Sequence, residues 1–160
     1  MKNVLFALAS LAAAVTLTGC ATLGESRAVT AARAAMNAEI QAEKPGDYFV
    51  GRRYYKVDYK FWGYIRKPGQ PWTEAKLVML NENKHLAPDR ESGTLGADNG
   101  SEYKLLGSFS GDSVYEPASD GFYPEFVLTG YELRSSTPAP IFEQQGAALD
   151  PIRRVIVAPY

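Results

Sequence analysis

Residues 52–67 concentrate the groups most suited to recognition. Arg52, Arg53, Lys56, Lys60, Arg66 and Lys67 stand there against one acid, Asp58, interleaved with Tyr54, Trp62 and Tyr64. An aromatic face beside a cation can stack on a sugar ring while the cation reaches a carboxylate or phosphate. Residues 54–66 alternate as a strand does, so Lys56, Trp62, Tyr64 and Arg66 fall on one face. Tyr55, Val57, Tyr59, Phe61 and Ile65 fall on the other. The second set is the more apolar and is expected to be core. The first set is then an exposed binding strip, suited to a glycan, a lipid headgroup or a partner protein. A helix or tail lying over that face would instead make its aromatics ordinary core.

Other chemistries find little support. His85 is the only histidine and Cys20 the only cysteine, so neither a multi-histidine nor a cysteine-based metal site can be built. Gly107 to Gly111 reads GSFSG, with Phe109 where a nucleophile elbow needs serine. Asp89, Glu91, Asp98 and Asn99 lack the spacing of a calcium-binding loop. Gly93, Gly96 and Gly100 lack the lysine and helix of a phosphate-binding loop. Asp112, Glu116, Asp120 and Glu125 could supply a carboxylate pair, the basis of an alternative reading as a small envelope hydrolase. Acids around turns are usually solvated, so no catalytic residue, metal or cofactor is assigned.

The N-terminus carries an address. Lys2 precedes the apolar run Val4–Leu17, about the length of a signal-peptide core and short of the ~20 residues of a spanning helix. The run ends in Leu17-Thr18-Gly19-Cys20, which resembles the lipobox of bacterial lipoproteins. That resemblance implies cleavage of residues 1–19, attachment of lipid to the Cys20 thiol, and anchoring to a membrane through acyl chains. Two or more chains anchor stably where one does not. Ala21 in place of aspartate favours the outer membrane, with the chain facing the periplasm. With 17 basic and 18 acidic residues, the chain has no global field to gather polyanions, and nucleic acid is not an expected partner outside the cytoplasm. A non-catalytic binding or structural module, meeting another envelope protein or a glycan, is the expected function.

The elements that must position these residues follow. Residues 20–46 form the lipidated N-terminus and an Ala-rich helix, with Val29, Ala32, Met36 and Ile40 as a thin apolar stripe ended by Pro45-Gly46. A stripe so thin predicts a loosely packed tether. Residues 47–160 read as a single β-domain. Strands are expected at 54–66, bent at Gly63, and at 75–80, 103–110, 125–134 and 153–157, with turns at Pro68-Gly69, Gly111-Asp112 and Asp120-Gly121. Residues 81–102 are polar and glycine-rich, either a surface excursion or the cover of a short strand. The fold class is mainly β: a small antiparallel barrel or a sandwich, preceded by the helical tether. The run YKLLGSFSGDS…FVLTGYEL resembles the last hairpin of an OB-fold, which implies an OB-like barrel. The chain also resembles short bacterial lipoproteins with a GRRYY…FWGYIRKPGQPW segment.

Overall fold

A computed structural model describes residues 27–57, 60–143, 145–150, 152 and 158–160. The expected signal peptide, Cys20 and the expected strand at 153–157 lie outside the described residues. Helix α1 (Arg27–Gln41) leads into β1 (Phe49–Lys56), β2 (Lys60–Arg66) and β3 (Lys76–Asn81). A short helix α2 (Pro88–Glu91) precedes two strands of 15 residues, β4 (Glu102–Glu116) and β5 (Gly121–Ser135), and α3 (Gln145–Leu149) follows. No helix among the described residues is long and apolar enough to cross a membrane.

The strands close into a barrel in the order β1-β2-β3-β5-β4. Neighbours are antiparallel except β3 and β5, which run parallel through Met79–Glu125 and Asn81–Val127. This is a small OB-like barrel, and closure leaves no edge along the ring of paired strands. Its interior holds Phe49, Ile65, Val78, Leu80, Tyr103, Leu105, Phe126 and Leu128. Phe49, Phe109 and Phe126 meet edge to face with centroids 5.1–5.8 Å apart, the favoured geometry for rings carrying a negative face and positive rim.

The single strand expected over 54–66 is a hairpin. Tyr54 pairs with Trp62 and Lys56 with Lys60, even separations of eight and four residues. An even offset conserves parity, so alternation still assigns each residue to its side even though the chain reverses. Gly63 marks no bulge. It lies opposite Arg53, where an added Cβ would sit 2.7 Å from the Arg52 carbonyl oxygen and 3.0 Å from the Arg53 Cα. Glycine is there because two backbones approach too closely for a side chain.

The expected turn at Gly111-Asp112 is an irregularity inside β4, with the register shifting between Phe109 and Ser113 and Gly111 at φ 94°. The reversal falls at 117–120, where Asp120 takes φ 50°. A further shift sits between Leu106 and Gly107, whose φ of 152° lets the strand bend over Phe126.

A second core lies on the outside of the barrel. Met36 and Ile40 of α1, with Ile141, Phe142 and Ala148 from the C-terminal segment, pack on Val50, Tyr54, Trp62, Tyr64 and Trp72. Helix α1 is therefore docked on the barrel by its C-terminal half, where a loose tether was expected. Two buried residues at a spacing of four suffice because ion pairs reinforce them.

Candidate functional site

The four residues expected to form an exposed strip do share one face, and that face is buried. Lys56 is 1 % exposed, Trp62 3 %, Tyr64 3 % and Arg66 2 %. Phe142 lies 5.6 Å from the Tyr54 ring and 5.7 Å from Tyr64, while Trp62 packs at 5.2 and 5.7 Å from the same two rings. The strip is thus the floor of the outer core. Burial pushes the hydroxyls of Tyr54 and Tyr64 well above the usual phenol range. Strand alternation identified the face correctly. It carried no information on the cover, which arrives from residues far along the chain.

The cations of that segment are drawn inward by acids from elsewhere. On the outer face, Arg52 donates from Nε and Nη2 to Glu102, at 3.2 and 2.9 Å, and from Nη1 to the Ala139 carbonyl at 2.7 Å. Arg66 donates to both Glu43 oxygens, at 2.6 and 2.8 Å. The two guanidinium carbons stand 5.0 and 4.8 Å from the Trp72 ring. Trp72 is positioned by a single 3-10 turn, Trp72–Glu74, begun after Pro71. Glu43, just past the end of α1, also accepts from the Gly69 N–H at 2.9 Å and from Arg134 Nη1 at 2.6 Å. Burial alone would raise its pKa, but the hydrogen bonds from Arg66, Gly69 and Arg134 outweigh burial and hold it at about 2.

Glu43, Arg52, Arg66, Glu102 and Arg134 line a cleft of about 340 Å³ between α1 and the barrel. One wall is helical and largely apolar, formed by Ala32, Ala35, Met36 and Ile40. Charged side chains crowd the rest: Arg52, Arg66 and Arg134 against Glu39, Glu43 and Glu102, an even balance. Arg134 stands at the mouth, 3.3 Å from Glu102. Arg66 Nε is buried without a hydrogen-bond partner among the described residues.

The opposite face of β1 carries a different knot. Arg53 points into the barrel end, where Glu82, Asp89 and Asp98 surround its guanidinium; Glu82 and Asp98 each lie 3.0 Å away. Burial would lower the Arg53 pKa, yet the three carboxylates raise it, and burial raises that of Asp98. Asn99 bonds both backbone groups of Tyr55, accepting from its N–H at 2.7 Å and donating to its carbonyl at 3.1 Å, so it substitutes for a neighbouring strand. Residues 82–101 accordingly form turns and α2, with no hidden strand.

Asp89, Asp98 and Asn99 are committed to these contacts, and Glu91 accepts from the Tyr131 hydroxyl. No cluster that could hold a metal is found among the described residues. His85 stacks on Tyr131 with centroids 5.3 Å apart and stands 3.8 Å from Glu91.

The turn carboxylates do not converge. Glu116 accepts from Ala118 N–H, Ser119 N–H and Ser119 Oγ at 2.7–2.9 Å, which fixes the β4–β5 turn. Asp120 accepts from the Tyr115 hydroxyl, and Glu125 from Asn81 Nδ2. Sequence reasoning missed Glu43, Glu102 and Arg134 as cleft residues. Glu43 read as a helix former, and nothing local marks it as the partner of Arg66.

Comparison with known proteins finds no matching family model, no matching curated protein and no matching solved structure. The class assigned to the chain, an OB-like barrel with a docked N-terminal helix, therefore rests on strand order and register alone.

Proposed function

We propose that this chain is an envelope lipoprotein, held to the outer membrane by acyl chains on Cys20, whose barrel is a non-catalytic binding module working through the cleft under α1. The cleft carries this reading. Three arginines and three glutamates line it together with Ala32, Ala35, Met36 and Ile40 of α1. Such a wall suits a chain that offers donors and acceptors in turn along an apolar body, as a segment of an envelope protein or a peptide-bearing glycan does. Among the described residues Glu116, Asp120 and Glu125 each serve a separate local contact, which favours a binding module over the hydrolase alternative.

Photo-crosslinking residues placed at Ala35 and Thr137, on the two rims of the cleft, test the reading in intact cells. Adducts from both positions and none from Phe122, on the β4–β5 hairpin, are expected. Absence of adducts at the rims, or equal capture at Phe122, overturns the cleft as the site. Anchoring is tested separately by Cys20→Ala, which must abolish partition into the detergent phase; unchanged partition and mass refute it.

A further inference from the structure

The even charge balance of the cleft depends on α1. Arg52, Arg66, Glu102 and Arg134 stand on barrel strands, whereas Glu39 lies on α1 and Glu43 two residues beyond its end. The barrel side alone therefore presents three guanidiniums against one carboxylate. The helical side brings two acids to it, and Glu43 is bonded to two of the arginines.

The seat of Glu43 has the geometry of a carboxylate receptor. Arg66 donates from both terminal nitrogens as a fork, at 2.6 and 2.8 Å, with the Gly69 N–H at 2.9 Å and Arg134 Nη1 at 2.6 Å. A forked guanidinium and a backbone N–H recognise the group and not the chain that carries it. Solvent reaches the seat, since the Arg134 side chain is 32 % exposed. One donor is left over. Arg66 is 2 % exposed, and its Nε has no hydrogen-bond partner among the described residues. A buried donor without an acceptor is costly, so the internal carboxylate leaves the receptor incompletely satisfied.

We propose that Glu43 is a placeholder, and that the cleft takes an acidic peptide segment whose carboxylate replaces that of Glu43 between Arg66 and Arg134. The proposal rests on the binding module read above and names the group it recognises. Because Glu43 is tethered, its effective concentration at the seat exceeds that of a free carboxylate, so a simple acid such as acetate does not compete. The incoming segment needs further contacts, and the cleft supplies them in the wall of Ala32, Ala35, Met36 and Ile40. The ligand therefore carries its carboxylate close to apolar side chains. Its charge also restores the balance that departure of Glu43 disturbs. Such a ligand meets only the fraction of molecules in which the seat is vacant, so weakening the internal contact raises the apparent affinity in the same proportion.

The test uses the full lipidated protein in detergent micelles, with binding read from the emission of Trp62 and Trp72, both in the outer core. The probes are the peptide Leu-Ala-Glu-Ala, acetylated and amidated at its ends, its glutamine counterpart, and acetylated Leu-Ala with a free terminal carboxylate. The parent should bind the acidic peptides weakly. Glu43→Gln should bind at least one of them about tenfold more tightly or better, while the glutamine peptide stays weak with both proteins. Glu43→Asp keeps the charge but shortens the reach, and it shifts affinity in the same direction should Glu43→Gln not fold. A gain for the glutamate peptide assigns the seat to an acidic side chain, and a gain for the free-ended peptide assigns it to a chain terminus; either supports the exchange. No gain for either acidic peptide in a variant that circular dichroism shows to be folded, or an equal gain for the glutamine peptide, overturns it. If cross-links form at Ala35 and Thr137 in cells yet no folded variant gains affinity, the exchange falls and the binding reading stands. If those cross-links are absent, the binding reading falls and the exchange with it.

Discussion

Glu43 fastens α1 to the barrel, and replacing it by glutamine isolates the electrostatic part of that attachment. Its carboxylate accepts four hydrogen bonds, two from Arg66 and one each from Gly69 and Arg134, and its side chain is only 4 % exposed. Those donors hold the pKa at about 2 against an ordinary 4.5. At about 1.4 kcal/mol per unit, the displacement corresponds to about 3 kcal/mol favouring the folded state at neutral pH. An independent route gives a similar size, since breaking a buried pair and stranding the remaining charge costs about 3–5 kcal/mol. For a depressed carboxylate, the unfolded chain binds protons first as pH falls. The contribution is therefore complete above about pH 4.5 and is lost as pH drops through about 2.

Glu43→Gln should then destabilise by about 3 kcal/mol near pH 7, and its difference from the parent should shrink steadily below about pH 4.5. Urea unfolding followed by tryptophan emission measures it well, because Trp62 and Trp72 are the only two tryptophans and both lie in the outer core under α1. Glu39→Gln, an exposed carboxylate of the same helix at the edge of the cleft, is the control and should stay within about 0.5 kcal/mol of the parent. A Glu43→Gln loss below about 1 kcal/mol, or one as large at pH 3 as at pH 7, refutes the reasoning.

Two further perturbations probe the rest of the design. Trp62→Ala and Phe126→Ala remove side chains from the outer and inner cores, and each should cost about 3–5 kcal/mol by denaturant unfolding; a Trp62 loss below about 1 kcal/mol would mean that its face is solvated. Among the described residues, Arg53→Met leaves Glu82, Asp89 and Asp98 in the barrel end with Arg90, 3.7 Å from Glu82, as the remaining cation ion-paired with them. Those carboxylates then gain raised folded-state pKa values, so the folded form binds more protons and stability falls as pH rises. The loss should be about 3–5 kcal/mol near pH 7 and clearly smaller near pH 5, and a loss independent of pH counts against the cluster.

Local pattern made some of this fold legible. Alternation over 54–66 assigned Lys56, Trp62, Tyr64 and Arg66 to one side, and the assignment survived the unexpected reversal because the hairpin offset is even. The glycines were informative about position but not about cause: Gly63 relieves a contact between neighbouring backbones, whereas Gly107 and Gly111 allow the bends. What alternation cannot register is a sheet buried on both sides. For β1 and β2 one face lines the barrel and the other lies under α1 and residues 141–142, so polar residues on the outer face read as solvent-exposed. The cover comes from segments whose own apolar content is slight, two residues of α1 and a short stretch near Phe142.

Charge balance offers the remaining clue. Residues 52–67 carry six cations and one acid, yet the whole chain holds 17 basic and 18 acidic residues, so the compensating acids lie elsewhere in the sequence. In the fold they come to the cations: Glu102 to Arg52, three carboxylates to Arg53 and Glu43 to Arg66. Burying these cations is tolerable only because each has found a partner, since unpaired charge in a low-dielectric interior is costly. A basic segment inside a near-neutral chain therefore fits two structures equally well: an exposed recognition surface, or a nucleus around which distant acids assemble. Here it is the second.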